Sequence, residues 1–273
     1  MKLRPSRIRQ RVRDNQFATT LKINLNDPRV IEIAGLCGVD GVWLCQEHVP
    51  NDWTSIENQV RAARLHDIDA LVRVSKGSYS DYVRSLEAGA AGIIVPHVES
   101  AEEAQQIVEW TRFYPLGKRA LDGGNIDGAF CLVPTEDYIK HANEEVTLIL
   151  QIESPEGLEQ VEKIAAVPGV SGIMFGPGDF SHRIGKVGQI TDPVVVAGRK
   201  RVAAACKANG LFAMTAGLVA PLAELVEEGH SIVNIGADVI GVSSYIQERV
   251  QVMEDAINDL PVELKPTTST AYV

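Results

Sequence analysis

Short apolar, β-branched runs alternate along the chain with longer segments in which apolar positions recur every three or four residues. The runs predict strands at Ala18–Ile23, Gly41–Cys45, Ala70–Val74, Gly92–Val95, Thr147–Ile152, Gly172–Phe175, Leu211–Met214 and Ile232–Ile235. Helical patterns lie between and after them at Pro28–Leu36, Ser55–His66, Ser80–Ala88, Ala101–Trp110, Pro155–Ala166, Pro193–Asn209, Ala220–Glu228 and Val239–Ile257. Most of the predicted strands are almost wholly apolar, as strands are when helices cover one face and a packed interior covers the other. Eight βα units in about 240 residues predict an α/β fold, a single-domain (β/α)8 barrel. An open doubly wound sheet is the weaker reading, because no Gly-x-Gly-x-x-Gly opens a helix after the first strand.

Helix starts are marked by Asp27-Pro28 and Asp192-Pro193, an N-cap acid before a proline at the first helical position. Ser100 with Glu103 reads as a capping box. Gly210 suits the end of a long helix. The irregular stretch Pro115–Pro134 is too long for a plain connector and predicts a lid or an intersubunit loop. Residues 1–16 carry the basic run Lys2, Arg4, Arg7, Arg9, Arg11 and Arg13, read as a solvated helix or a subunit contact. The tail from 261 to 273 reads as mobile or packed on a neighbour.

Composition narrows the classes. A chain of 273 residues can bury one large core without disulfides. No run of apolar residues is long enough to cross a membrane as a helix, and the basic start lacks the apolar segment of a secretory signal. The four cysteines are widely spaced with no Cys-x-x-Cys, which points to reduced thiols and a cytoplasmic protein. A net charge of −10 opposes nucleic-acid binding.

Barrel chemistry sits at the C-terminal ends of the strands. There the chain places Glu47-His48 after the second strand, Arg73 on the third, His97 after the fourth, Gln151 and Glu153 on the fifth, and Gly178-Asp179 after the sixth. Two carboxylates such as Glu153 and Asp179 at one mouth repel unless a cation joins them, so they are candidate ligands for a divalent metal; each could instead cap the helix that follows. Gln151 and Glu153 share one face of their strand, the interior one. Arg73 in an apolar strand needs a partner, either an anionic substrate or a bridge to Glu153 or Glu87. His48 beside these groups is a candidate general base, while His97 and His182 are weaker candidates.

Glu47-His48-Val49-Pro50-Asn51-Asp52, Gln151-Ile152-Glu153 and Gly176-Pro177-Gly178-Asp179-Phe180-Ser181 resemble the signature segments of the HpcH/HpaI aldolases, the class II pyruvate-dependent aldolases. The similarity runs from about Phe17 to the helix after Gly236-Ala237-Asp238. The resemblance implies that Glu153 and Asp179 bind the metal (Mg²⁺, Mn²⁺ or Co²⁺) and that His48 accepts a proton. It implies that Arg73 stabilises the pyruvate enolate, and that Gln151, Gly178, Asp179 and Arg73 contact substrate. Glu87 falls where the family has a carboxylate that raises the basicity of the histidine. The resemblance also implies a homo-oligomer, a hexamer built as a trimer of dimers, with the last helix exchanged between subunits.

The chain departs from the family's common Asp-Gly before Glu-His, carrying Cys45-Gln46 there, and Ala120 follows Arg119 where the family has Arg-Gly. The implied activity is reversible cleavage of a 4-hydroxy-2-oxo acid to pyruvate and an aldehyde. The alternatives are a CoA-ester lyase of the citrate-lyase type, a Schiff-base aldolase using Lys22 or Lys76, and a non-catalytic barrel that binds a keto acid.

Overall fold

The computed structural model describes residues 3–261 and residue 264. Eight strands form the barrel: β1 Ala18–Ile23, β2 Gly41–Cys45, β3 Asp69–Arg73, β4 Gly92–Val95, β5 Thr147–Ile152, β6 Gly172–Phe175, β7 Phe212–Met214 and β8 Ile232–Ala237. They close in sequence order, with β8 returning to pair in parallel with β1. The helices are α1 Arg7–Arg13, α2 Pro28–Leu36, α3 Trp53–Leu65, α4 Tyr79–Glu87, α5 Ala101–Thr111, α6 Thr135–Glu145, α7 Pro155–Glu159, α8 Val161–Ala165, α9 Pro177–Arg183, α10 Pro193–Ala208, α11 Leu222–Glu228 and α12 Asp238–Asn258. The fold is therefore the (β/α)8 barrel that the hydrophobic pattern predicts.

Two apolar layers follow from alternation along the strands. Leu148, Leu150 and Ile152 of β5 face outward and join the large layer between strands and helices. Ile149 faces inward with Trp43, Leu71, Ile94, Met174, Met214 and Ile232. Ile8 of α1 completes this inner layer, so the N-terminal segment plugs the end of the barrel where the strands begin.

That plug corrects the reading of the basic run as a solvated helix. Arg4 pairs with Asp69 at 2.7 Å, Arg7 and Arg11 with Asp40 at 2.9 Å each, and Arg13 with Glu145 at 2.8 Å. Arg9 donates to the Val146 carbonyl and to Ser171 Oγ, and burial pushes its pKa down to about 10. The segment from Pro115 to Pro134 contains a 3-10 turn at Ile126–Cys131. It lies along α4, where Ala120 N donates to Tyr79 Oη and Ile126 packs on Gly89. Beyond Pro261 and Leu264, the expected tail lies outside the described residues.

Candidate active site

Local structure at the strand ends decides which polar groups reach the mouth. After β2 the chain turns through Gln46–Asn51, and Asn51 pins the turn by donating to the Cys45 carbonyl at 2.8 Å. Asp52 then caps α3 by accepting from Ser55 N. This turn delivers Glu47. After β5, Ser154 takes the capping role for α7, accepting from Gly157 N at 3.0 Å, which leaves Glu153 free to face the mouth. Asp179 lies in the first turn of α9 and is exposed.

A continuous charged network results. Glu47 lies 3.0 Å from Arg73 Nε and 2.9 Å from His97 Nε2. The other nitrogen of His97 lies 3.0 Å from Glu153, which also accepts from the His97 main-chain N–H at 2.9 Å. Gln151 Nε2 donates to the remaining Glu153 oxygen. His97 is held at a φ of 55°, a left-handed conformation unusual for a side chain of its size, with its carbonyl accepting from Lys76 Nζ at 2.6 Å. Arg73 is fixed a second time by donating to Cys45 Sγ at 3.2 Å, and its guanidinium lies 4.7 Å from the Trp43 ring centroid.

The network is close but not saturated. Glu47 Oε2, Arg73 Nε, His97 Nδ1 and Gln151 Oε1 are buried without an aligned hydrogen-bond partner, although the first three have charged neighbours at salt-bridge distance. Burial holds the Glu153 carboxyl above the usual range against the opposing pull of His97, with Asp179 and Glu47 adding to the rise. Gly176 makes room for it, since a Cβ there would stand 2.8 Å from both Cβ and Oε2 of Glu153.

Residues 19–244 match the model of the family described as HpcH/HpaI aldolase/citrate lyase. The chain belongs to this family. Like other HpcH/HpaI members, it is a lyase-type enzyme. It is 33% identical over 242 residues to a hydroxypyruvate/pyruvate aldolase of Pseudomonas aeruginosa, covering 87% of this chain and 89% of that one. It is 33% identical over 219 residues to a 5-keto-4-deoxy-D-glucarate aldolase of Klebsiella pneumoniae, covering 79% and 84%. A solved HpcH/HpaI aldolase/citrate lyase family protein from Burkholderia cenocepacia superposes with a TM-score of 0.83 at 31% identity, covering 91% and 99%.

Of the residues implied for this HpcH/HpaI chain, Arg73, Gln151 and Glu153 converge in the network. His48 stands at its rim, half exposed, with Nε2 3.6 Å from Glu47. Asp179, in the first turn of α9 directly after Gly178, is near enough to act on the Glu153 carboxylate. Glu87 is not part of this network: it ends α4 and lines a cleft with Trp53, Arg84 and Ile126. Burial raises its carboxyl pKa, opposed by Arg119. Arg73 pairs with Glu47, not with Glu153 or Glu87. Glu47 and His97 are the residues that sequence reasoning underrated.

The donor set fits a divalent cation. Glu47, His97 and Glu153 offer ligand atoms within 4.8 Å of one another. Asp179 is near enough to raise the Glu153 pKa, as two carboxylates do when they share one charge field. A cation held among such groups would remove their repulsion.

Proposed function

We propose that this chain is a divalent-metal-dependent aldolase that reversibly cleaves a 4-hydroxy-2-oxo acid into pyruvate and an aldehyde. The observation that carries the reading is a clamped arginine, Arg73, facing the same mouth as the buried Gln151–Glu153 pair. When held by Glu153 and Asp179, Mg²⁺, Mn²⁺ or Co²⁺ supplies Lewis-acid stabilisation of enolate charge.

The protein's own groups do the rest. Arg73 is tied by Glu47, Cys45 and Trp43, so its charge is already in place when the enolate oxygen develops negative charge. His48 takes the C4 hydroxyl proton. The C3–C4 bond breaks, its electron pair enters the enolate, and the aldehyde leaves; a proton returned to C3 completes pyruvate. Glu47 stands 3.6 Å from His48 Nε2, within reach to orient the ring. Gln151, oriented by Glu153, contacts the 2-oxo acid, and the open main chain at Gly178 receives its carboxylate.

We place the enzyme in the cytoplasm, a reading supported by four free cysteines, two of them exposed. No described helix is long and apolar enough to cross a membrane. A homo-oligomer, hexameric by family resemblance with α12 exchanged between subunits, is supported by the exposed Val239, Ile240, Val242, Tyr245 and Ile246 of α12. The test of function is an aldol screen of pyruvate with a panel of aldehydes, read by mass, with and without chelator. Product that requires added Mn²⁺, Co²⁺ or Mg²⁺ is expected; equal product from metal-free enzyme would overturn the reading.

A further inference from the structure

Lys22 is a cation inside the barrel that the network above does not use. It pairs in register with Trp43, and its strand neighbours Thr20 and Ala18, two and four positions back, are buried on the same interior face. Its Nζ lies 5.3 Å from the Trp43 ring centroid, the same indole that carries Arg73 at 4.7 Å. The other basic side chains of the mouth are matched: Arg73 by Glu47, His97 by Glu47 and Glu153, Lys76 by Glu103. Lys22 makes no ion pair and no hydrogen bond among the described residues. The carboxylate of Asp238, at the foot of α12, is already occupied by the N–H groups of Asn24 and Leu25 at 2.9 and 2.8 Å. Burial, and after it the charge of Arg73, lowers the pKa of Lys22, the behaviour of an ammonium taken from water without a counter-ion.

Topology says which part of a substrate meets it. In a closed ring of eight strands in sequence order, β1 stands across the barrel from β5. The groups assigned to the pyruvate half come from β3, β5 and α9, so the remainder of the substrate extends toward the β1 wall. We propose that Lys22 reads the aldehyde half of the substrate and selects aldehydes that carry a carboxylate. The proposal rests on the aldolase reading and adds to it a specificity-determining residue and the chemical class of the second product. Lys22 acts here as a non-covalent partner, its N–H groups donating to the carboxylate.

The experiment compares two aldehydes of equal carbon number, glyoxylate and glycolaldehyde, as acceptors for pyruvate in the metal-loaded enzyme. The unsubstituted enzyme is expected to prefer glyoxylate in kcat/KM. Lys22→Met should lower the glyoxylate-to-glycolaldehyde ratio by roughly 10- to 100-fold, the factor carried by a hydrogen bond to a charged group. Lys22→Arg should restore most of the ratio. A ratio indifferent to Lys22→Met, or a label left on Lys22 by pyruvate and borohydride, overturns the assignment. No aldol product from any aldehyde removes the aldolase reading itself, and this proposal with it.

Discussion

Replacing Arg73 with lysine keeps one positive charge and removes the fork. The guanidinium is held by three contacts of different direction: Glu47 at 3.0 Å, Cys45 Sγ at 3.2 Å and the Trp43 ring at 4.7 Å. A compact ammonium cannot keep all three and still face a developing oxyanion. Losing one preorganised donor of this kind costs roughly 3–4 kcal/mol in the transition state, on the order of 100- to 1000-fold in kcat. Stability should change far less. Glu47 keeps His97 Nε2 at 2.9 Å, so no buried carboxylate is stranded. A cost of about 1 kcal/mol lowers Tm by roughly 2–4 °C in a chain of this size class. Steady-state kinetics of retro-aldol cleavage, run beside a thermal melt, separates the two effects. An Arg73→Lys enzyme with near-normal kcat and only a raised KM would refute the argument and make Arg73 a binding anchor.

Gly176→Ala sets a methyl 2.8 Å from Glu153 Cβ and Oε2 and 3.1 Å from Gln151 Nε2. Calorimetric titration with Mn²⁺ should show affinity reduced roughly 10- to 100-fold, the range for displaced ligand support, in a protein that still melts cooperatively; unchanged affinity would contradict it. His230 is buried and burial lowers its pKa, so the unfolded chain binds the proton more readily than the fold. Its contribution to stability is therefore complete above the unfolded pKa of about 6.5 and is lost as pH falls below it. Melts across that range should show His230→Gln losing less stability on acidification than the unsubstituted protein; an identical pH dependence would contradict this.

Strand order and facing were readable in the chain because both rest on alternation, which is local: Gln151 inward and Ile152 outward follow from sequence spacing alone. Ion partners rest on register. Cys45 pairs with Arg73 across β2 and β3, and only that pairing brings Glu47, two residues on, to the guanidinium. His97 was a lone histidine in the sequence, and its bridging role depends on a left-handed φ that no spacing announces. Glu87 closes α4 and lines a cleft outside the network, and which groups a helix residue meets depends on packing that spacing along the chain does not announce. The basic N-terminal run looked solvated because its acids, Asp40, Asp69 and Glu145, lie far away in sequence and meet it only when the barrel closes.

The central claim is that this mouth forms an enolate of pyruvate with a metal held at Glu153 and Asp179. Proton NMR of the pyruvate methyl group in deuterated water measures that step without any aldehyde. Exchange should be absent after chelation, return with Mg²⁺, Mn²⁺ or Co²⁺ (read after chelating the paramagnetic ions), and stay absent in Asp179→Ala with metal present. Exchange at full rate in the metal-free enzyme, or undiminished in Asp179→Ala, would contradict the account.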